Sequence, residues 1–363
     1  MAPIASSGTV SFSDLRTEFV GGSSAISLGD LYRGGSNILS KAGDNPAVNL
    51  AASVPTSGVI DIQDFHGTAK GFQNTISSTT TNVVANTLFG DDYDVNYPKF
   101  IVINSGVTIG GVSSEALTIP SGCVGGLTIN NAGNIYGAGG VANGGDGRTA
   151  VYVASSGVTI NNTGEIRGGG GGGGIGGSGG AGGQGSYTAV SYAYTHGARS
   201  WWCQTSTDCY VIYGGTHCRP MPNTQTVCGN YYKGSFNTYA AGQYGYQLGL
   251  GSTAYSSGGA GGAGGAPAVG QGYNQAAGTG SAGSAGASGS NNSGAGGTGG
   301  AGGNGGAWAT AGQAGAAGST GANGNYSNGS AGAGGGAAGA AGAAVSGTSV
   351  TMNNTGTISG TVA

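Results

Sequence analysis

Glycine at every third position is the feature that most limits what this chain can fold into. One unbroken series consists of Gly312, Gly315, Gly318, Gly321 and Gly324. In a polyproline-II backbone, which has three residues per turn, such a series lies on one face, where another backbone can approach closely. The N–H and C=O groups of this conformation point outward and can hydrogen-bond to neighbouring strands. The period therefore predicts a bundle of short polyglycine-II-type helices.

Collagen and disorder are the two alternatives for the glycine-rich part. Collagen also needs glycine at every third residue, but it is rich in proline, and residues 257–345 contain one proline, Pro267. The period breaks near Tyr273, at Asn291-Asn292, at Trp308 and at Asn325-Tyr326, and we interpret these breaks as tight loops. A chain with 86 glycines and 6% charged residues also has a composition typical of disorder. Disorder would predict rapid proteolysis of residues 257–345.

The charge content excludes several function classes. A net charge of −3 over 363 residues provides no basic patch for nucleic acid or an anionic membrane. No run approaches the ~18 apolar residues that span a bilayer, so we expect no membrane insertion. The first nine residues lack the features of a signal peptide. If the protein acts outside a cell, we therefore expect it to leave by another route, of which lysis of an infected host would be one.

A second repeat occurs three times, at residues 126–137, 157–168 and 349–360, and contains Asn-Asn-x-Gly-x-Ile. Its alternating apolar residues predict a half-buried strand, and its Asn and Gly residues tolerate positive φ. Because one such unit buries little, we expect the copies to stack as rungs of a scaffold. Residues 169–348 then form one insertion between neighbouring rungs, closed by a C-terminal strand.

The first 70 residues contain three copies of a shorter motif: Val10–Leu15, Ile26–Leu31 and Ile60–Phe65. Apolar residues occupy the first and third positions and Asp the fifth. Each copy predicts a short strand followed by a turn or short helix at which Asp accepts backbone N–H groups. Taken alone, these residues predict three similar packing units.

Two of these patterns resemble those of phage tail proteins. Residues 10–19 and 26–35 resemble the opening modules of tail-fibre and minor tail proteins, which implies attachment to the virion. The passage from Asn-Asn-x-Gly-x-Ile-x-Gly into a glycine array is similar to glycine-rich tail-fibre adhesins and host-specificity tip proteins, over about residues 100–185 and 257–363. That resemblance implies a polyglycine-II sandwich whose distal loops contact a bacterial receptor. Residues 186–256 depart from the family pattern.

These departing residues are rich in tyrosine and tryptophan. Both side chains offer a large, rigid contact area at low entropic cost, and they stack on sugar faces. We expect some of them to contact the receptor, and the alternative is that they only form a small core of the insertion. Together with aromatic residues of the expected loops, the receptor-binding candidates are Tyr192, Tyr194, Trp201, Trp202, Tyr210, Tyr213, Tyr231, Tyr232, Tyr273, Trp308 and Tyr326.

The same insertion contains Cys203, Cys209, Cys218 and Cys228. It has no C-x-x-C motif, which argues against zinc binding despite the nearby His196 and His217. Either two disulfides or free thiols fit the spacing, and three connectivities are open. A reducing cytoplasm would delay oxidation until release. The fifth cysteine, Cys123, is expected to pack as a small buried residue.

No group of residues predicts catalysis, a metal or a cofactor. The three histidines, His66, His196 and His217, lie in no nucleophile or metal motif. Asp91, Asp92 and Asp94 lack EF-hand spacing and are interpreted as a solvated loop. Asp208 is the only acid between residues 186 and 256, whereas a glycan hydrolase needs a pair of carboxylates. We therefore predict that the chain is not an enzyme.

Together these features predict a mainly β and irregular fold in six parts. The expected parts are an attachment module (1–70), a β-rich scaffold (71–168), glycine-rich helices (169–185), an aromatic and Cys-rich insertion (186–256), a polyglycine-II bundle (257–345) and a closing strand (346–363).

The function that we predict is that of a tail-fibre tip adhesin in the virion tail, assembled in the host cytoplasm. Its expected partners are other tail or baseplate proteins, through the N-terminal module, and a bacterial surface receptor, either protein or glycan. A homotrimer and a single copy on a trimeric fibre both fit the sequence. One alternative is a structural tail or fibre spacer without receptor binding. Another is a bacterial surface or silk-like extracellular protein, which would need a secretion signal.

Overall fold

Short strands and glycine-rich segments make up most of this molecule. The computed structural model describes residues 4–41, 47–189, 202–203, 208–212, 215–219 and 252–363. The first twelve strands are β1 (Val48–Asn49), β2 (Phe72–Ile76), β3 (Thr80–Thr81), β4 (Val83–Val84), β5 (Lys99–Ile103), β6 (Thr108–Gly110), β7 (Leu117–Ile119), β8 (Leu127–Asn131), β9 (Asn134–Tyr136), β10 (Val151–Val153), β11 (Val158–Asn162) and β12 (Glu165–Arg167). The others are β13 (Gly185–Ala189), β14 (Trp202–Cys203), β15 (Asp208–Ile212), β16 (Gly215–Arg219), β17 (Ser252–Ser256), β18 (Val345–Gly347), β19 (Thr351–Asn354) and β20 (Thr357–Ser359).

Three parallel sheets form the sides of a solenoid, the scaffold. The first four turns each contribute one strand to each side, and the last turn contributes β19 and β20. The first side has the strand order β1-β2-β5-β8-β11-β19, the second β3-β6-β9-β12-β20 and the third β4-β7-β10-β18. The exception to the parallel pairing in these sheets is β1, which pairs antiparallel with β2. The fold is therefore mainly β, as the sequence predicts.

Equivalent apolar residues of successive turns stack inside this scaffold. Ile101, Ile129 and Ile160 are in register on the first side, and each is fully buried. Met352 follows them in the last turn and is partly buried. Removing such a side chain from water contributes roughly 1.5–3 kcal/mol. The register confirms that the three long repeats stack as rungs.

The Asn-Asn-x-Gly residues do not adopt the positive φ that we expected from them. Asn130 and Asn131 end strand β8, and positive φ falls instead at Gly126 and Gly157, before the strands. The reason is that the Asn side chains hydrogen-bond to the equivalent Asn of the next turn. Asn131 Nδ2 donates to Asn162 Oδ1 at 2.7 Å. Extended backbone aligns these amides in a ladder, and the chain bends at the next two residues, before β9 begins.

The glycine-rich chain leaves the scaffold inside one turn. After β12 the chain departs at residue 168, and it returns at β18, which pairs in parallel with β10. The prediction of one large insertion is therefore confirmed, but the insertion interrupts a turn and does not lie between two turns. In the preceding turn, residues 137–150 occupy the equivalent corner between β9 and β10.

Three short helices of the N-terminal module begin at capping boxes. The helices are α1 (Phe12–Leu15), continued by a π-helical turn (Arg16–Val20), and two 3-10 helices (Leu28–Leu31 and Ile62–Phe65). The backbone N–H of Ser11 donates to Asp14 Oδ2 at 2.8 Å, and the same bond joins Ser27 to Asp30 and Asp61 to Asp64. Because this N–H group donates to Asp, it is not free to hydrogen-bond to a neighbouring β-strand. The strand that we expected in each copy is therefore not formed.

The three helices share one hydrophobic core. Leu15, Leu31 and Phe65 hold the same place in the three copies, and all are fully buried. The scaffold also carries a helix, α2 (Ala85–Phe89), followed by a 3-10 turn (Gly90–Asp92). In that turn Asp92 is buried, while its neighbour Asp91 and the nearby Asp94 are exposed, so the predicted solvated loop is wrong for Asp92.

Candidate functional site

Six glycine-rich segments run side by side and are joined by turns where the sequence predicts loops. Segments I to VI are residues 168–184, 257–271, 276–290, 293–307, 310–324 and 327–344. The turns between consecutive segments from II to VI lie at residues 273–274, 291–292, 308–309 and 325–327. We refer to the six segments together as the glycine array.

Segment I is the centre of the glycine array. Its amide N–H groups donate at intervals of three residues to segment II, for example Gly173 to the oxygen of Ala268 at 2.8 Å. The next residue in each triplet donates to segment V, for example Gly174 to Gln313 at 2.9 Å. Segments IV and VI donate to its carbonyl groups, as Gly336 does to Ile175 at 2.7 Å. The backbone groups of segment I are thus satisfied laterally, as the period of three predicts.

Glycine is required where these backbones meet. A Cβ on the buried Gly176 would overlap the carbonyl oxygen of Gly300 and lie 2.7 Å from the nitrogen of Gly265. By contrast, a Cβ on Gly334, at the exposed outer surface of segment VI, would meet nothing within 4 Å. Close backbone packing thus explains why the interior position of each triplet is glycine.

One end of the glycine array rests on the scaffold through two aromatic side chains. The Trp308 ring lies 5.0 Å from the ring of Tyr136, between centroids, and the Tyr273 ring lies against Gly110. Burial and the hydrogen bond to Glu165 raise the pKa of Tyr136 to about 12. Its hydroxyl donates to Glu165 Oε2 at 2.5 Å. These contacts fix the array to the scaffold, and we call this end the scaffold end.

At the opposite end, the distal end, a two-stranded ribbon leads into the insertion. Strands β13 and β17 pair antiparallel from Gly185↔Ser256 to Ala189↔Ser252. Ser186 N donates to Asn325 Oδ1 at 2.7 Å, and the side-chain amides of Asn292 and Asn325 each donate to Ser186 O at 3.1 Å. Two turns of the array therefore clamp the base of the ribbon.

Two exposed tyrosines lie beside this clamp. The ring centroids of Tyr255 and Tyr326 are 4.4 Å apart, with an angle of 56° between the ring planes. Tyr255 is 54% exposed and Tyr326 57% exposed. A side-chain hydrogen bond with Tyr326 raises the pKa of Tyr255. Paired rings with hydroxyl and amide groups around them form a surface suited to binding.

The structure separates the candidate aromatic residues into three groups. Tyr326 lies at the distal end, whereas Tyr273 and Trp308 lie at the scaffold end and are left out of the candidate surface. Trp202 and Tyr210 belong to strands β14 and β15 of the insertion. The remaining candidates fall outside the described residues; they are Tyr192, Tyr194, Trp201, Tyr213, Tyr231 and Tyr232.

Tyr255 lies at the distal end but is not among the receptor-binding candidates predicted from the sequence. Sequence reasoning placed it among the aromatic residues of the insertion, but nothing in its local sequence set it apart. Its pairing opposite Ser186 in the ribbon brings it to the turn that carries Tyr326. The one available signal for Tyr255 was the alternating pattern of Ser252–Ser256, which could have been recognised as a strand.

The cysteines and acids form no metal site that the structure describes. Cys203, Cys209 and Cys218 lie in strands β14 to β16, while Cys228 falls outside the described residues. Cys123 is half-buried against the scaffold core as a free thiol, and burial raises its pKa. Across the described ranges, no group of three or more His, Cys, Asp or Glu residues could hold a metal ion. No helix in those ranges is long and apolar enough to cross a membrane.

Comparison with known proteins gives one family match and one structural match. The family model described as phage tail fibre adhesin Gp38 matches residues 71–285, more than half of the 363-residue chain. The chain is also similar to the gp37-gp38 adhesin tip complex of the bacteriophage S16 long tail fiber, with 21% identity and a TM-score of 0.33. That match covers 87% of this chain and 90% of the other, and at this TM-score it supports no inference. None of the curated proteins matches the chain.

Proposed function

We propose that this chain, which belongs to the phage tail fibre adhesin Gp38 family, binds a receptor on the host cell surface through the distal end of its glycine array. As a family member it is a tail fibre protein of the virion. The proposal concerns which part of the molecule makes the contact. The observation that carries it is the exposed pair of Tyr255 and Tyr326, clamped at the end farthest from the scaffold.

The glycine segments are proposed to be polyglycine-II helices that act as a stiff support. The support for this assignment is the set of lateral backbone bonds at three-residue intervals, which matches three residues per turn. A bundle held by backbone bonds has little need of a side-chain core, so its outer surface can consist of small residues. Such a surface offers few groups for recognition, which leaves this task to the ends of the array.

The two ends of the array differ in what they leave free for a partner. Tyr273 and Trp308 are engaged with the scaffold, whereas more than half of each distal tyrosine is exposed. The insertion also leaves the array at the distal end, through the ribbon of β13 and β17. We propose that its aromatic residues also contact the receptor. Aromatic anchors of this kind provide much of the binding energy in protein interfaces.

The N-terminal module is proposed to attach the chain to another tail or baseplate protein. Phe12, the first residue of α1, is 46% exposed although it is a large apolar side chain. The equivalent residues of the other copies, Leu28 and Ile62, are only partly buried. These three apolar side chains are the ones that we propose to contact the other tail protein. We also propose that the chain is not an enzyme.

A structural spacer is the second candidate function, since a stiff array could simply extend the fibre. Substitution of the distal tyrosines separates the two. We predict that Tyr255→Ala with Tyr326→Ala reduces binding of the full chain to host cells by roughly tenfold or more, because two aromatic anchors are lost. Fluorescently labelled protein and flow cytometry would measure this.

The matched control is Tyr152→Ala, which removes a tyrosine that is 41% exposed on strand β10 of the scaffold. Its binding should equal that of the unchanged chain. Equal binding by the distal double variant and this control, with all three proteins folded, would exclude the tyrosine pair from the receptor surface.

A further inference from the structure

Three strands of the insertion bring two cysteines to directly opposite positions. Strand β15 pairs antiparallel with β14 on one side and with β16 on the other. In this register Cys209 lies opposite Cys218 on one side and opposite Trp202 on the other. Cys203 lies opposite Asp208.

The connection between β15 and β16 decides what kind of pair the two cysteines form. Ile212 pairs with Gly215 across a connection of two residues, so this pair closes the hairpin with hydrogen bonds. Hydrogen-bonded and non-hydrogen-bonded pairs alternate along an antiparallel ladder. Counting from that closing pair, Cys209↔Cys218 is the fourth and therefore a non-hydrogen-bonded pair.

A non-hydrogen-bonded pair has the geometry that a disulfide needs. The Cα atoms of such a pair lie about 4.5 Å apart, and its side chains are closer than those of the hydrogen-bonded pair. Disulfides span Cα separations of about 4.4–6.8 Å. The register therefore places Cys209 and Cys218 within bonding range without movement of the backbone.

The alternation of side chains between the two faces of the sheet argues against a disulfide between Cys203 and either Cys209 or Cys218. Directly opposite residues share a face of a sheet, and successive residues of a strand alternate between faces. Cys209 and Cys218 thus share one face, while Cys203 shares the other face with Asp208. A bond from Cys203 to either of them would have to cross the sheet.

We propose that Cys209 and Cys218 form a disulfide that fixes the β15–β16 hairpin of the insertion. This assignment selects one of the three connectivities that the spacing leaves open, and its remaining pair is Cys203 with Cys228. The inference does not depend on receptor binding, because the bond is detected without host cells.

The bond is expected to form after the virion leaves the reducing cytoplasm. With glutathione disulfide as the oxidant, one cysteine thiolate attacks a glutathione sulfur and releases one glutathione thiolate. The second cysteine thiolate then attacks the mixed disulfide and releases the second glutathione. The two cysteines lose two electrons and two protons in total, and the oxidant becomes two molecules of glutathione.

Peptide mapping of the full chain tests the assignment. The oxidised protein is alkylated to block free thiols and digested without reduction by endoproteinase Asp-N and chymotrypsin. Cleavage before Asp208 separates Cys203 from Cys209, and cleavage after Tyr210 and Tyr213 separates Cys209 from Cys218. We expect the peptide with Cys209 linked to the peptide with Cys218, and Cys123 alkylated. In a Cys228→Ser variant the same link should persist, which excludes Cys228 as the partner.

Two double variants check the pairing independently. Cys203→Ser with Cys228→Ser should lose the mass of two hydrogen atoms on exposure to glutathione disulfide and regain it on reduction. Cys209→Ser with Cys228→Ser leaves Cys203 and Cys218, which should not join to each other. A Cys209 peptide linked to Cys203, or a Cys209 alkylated in full after oxidation, would overturn the proposal.

Discussion

At the scale of single residues, the packing of the array depends on the absence of side chains. Each interior glycine of segment I lies against carbonyl groups of a neighbouring segment or of the scaffold corner at residues 137–150, so a methyl group has no space. The period of three was sufficient to predict this face. It could not predict which neighbour each glycine meets, because that depends on how the other five segments fold back.

Gly176→Ala tests this packing directly. We predict that it destabilises the folded chain by about 1–3 kcal/mol or more, because the added Cβ overlaps the backbone of two neighbouring segments. The free energy of unfolding from denaturant titration would measure the loss.

The matched control is Gly334→Ala in segment VI, where a Cβ meets nothing within 4 Å. That variant should be more stable than the unchanged chain by about 0.4–1 kcal/mol, since alanine restricts the unfolded chain. If close packing is the cause, Gly176→Ala lowers the free energy of unfolding and Gly334→Ala raises it. A loss of equal size in both would indicate that glycine matters for another reason.

At the scale of elements, the scaffold is held in register by ladders of asparagine as well as by its apolar core. Asn162 is 1% exposed, and it joins Asn131 and Asn354 through hydrogen bonds of 2.7 Å each. The repeat spacing predicts that the copies stack, and the register agrees. The side-chain ladder was not predicted, because Asn next to Gly is equally typical of a turn.

Asn162→Ala is therefore expected to destabilise the scaffold by about 1–3 kcal/mol, because it removes the 2.7 Å hydrogen bond of the buried Asn131 amide as well as the bond to Asn354. Asn353→Ala, in the exposed ladder of the last turn, serves as the control. We expect about 0.5 kcal/mol or less for it, since water can replace the lost bond. Equal losses in thermal unfolding would show that burial of the ladder contributes nothing.

The N-terminal elements show where sequence patterns are ambiguous at this scale. Alternating apolar residues such as Ile60 and Ile62 suggest a strand, and an Asp two residues later suggests a turn. The capping box uses the N–H of Asp61 and starts a helix instead. Periodicity over so few residues does not distinguish these outcomes, whereas the reciprocal Ser/Asp spacing would have predicted the helix start.

At the scale of the whole molecule, the chain has a scaffold, an array that leaves it from inside one turn, and an insertion at the distal end of the array. Breaks in the glycine period predicted where the loops lie in the sequence. They did not predict at which end of the array each loop lies. Tyr273 and Trp308 alternate along the chain with the distal turns because successive segments run in opposite directions. This alternation places the loops of Tyr273 and Trp308 against the scaffold and the loop of Tyr326 at the tip.

The central claim is that the distal end binds the host receptor, and competition for phage adsorption tests it most directly. The full chain is compared with a variant in which residues 187–254 are replaced by Asn-Gly, which joins Ser186 to its ribbon partner Tyr255 through a two-residue turn. Both proteins are first shown to unfold at similar temperatures, and host cells are then preincubated with each before phage is added. We predict that the full chain blocks adsorption and that the shortened chain blocks it much less. Failure of the folded full chain to block adsorption, even when presented in many copies on a bead, would contradict the account and favour a spacer.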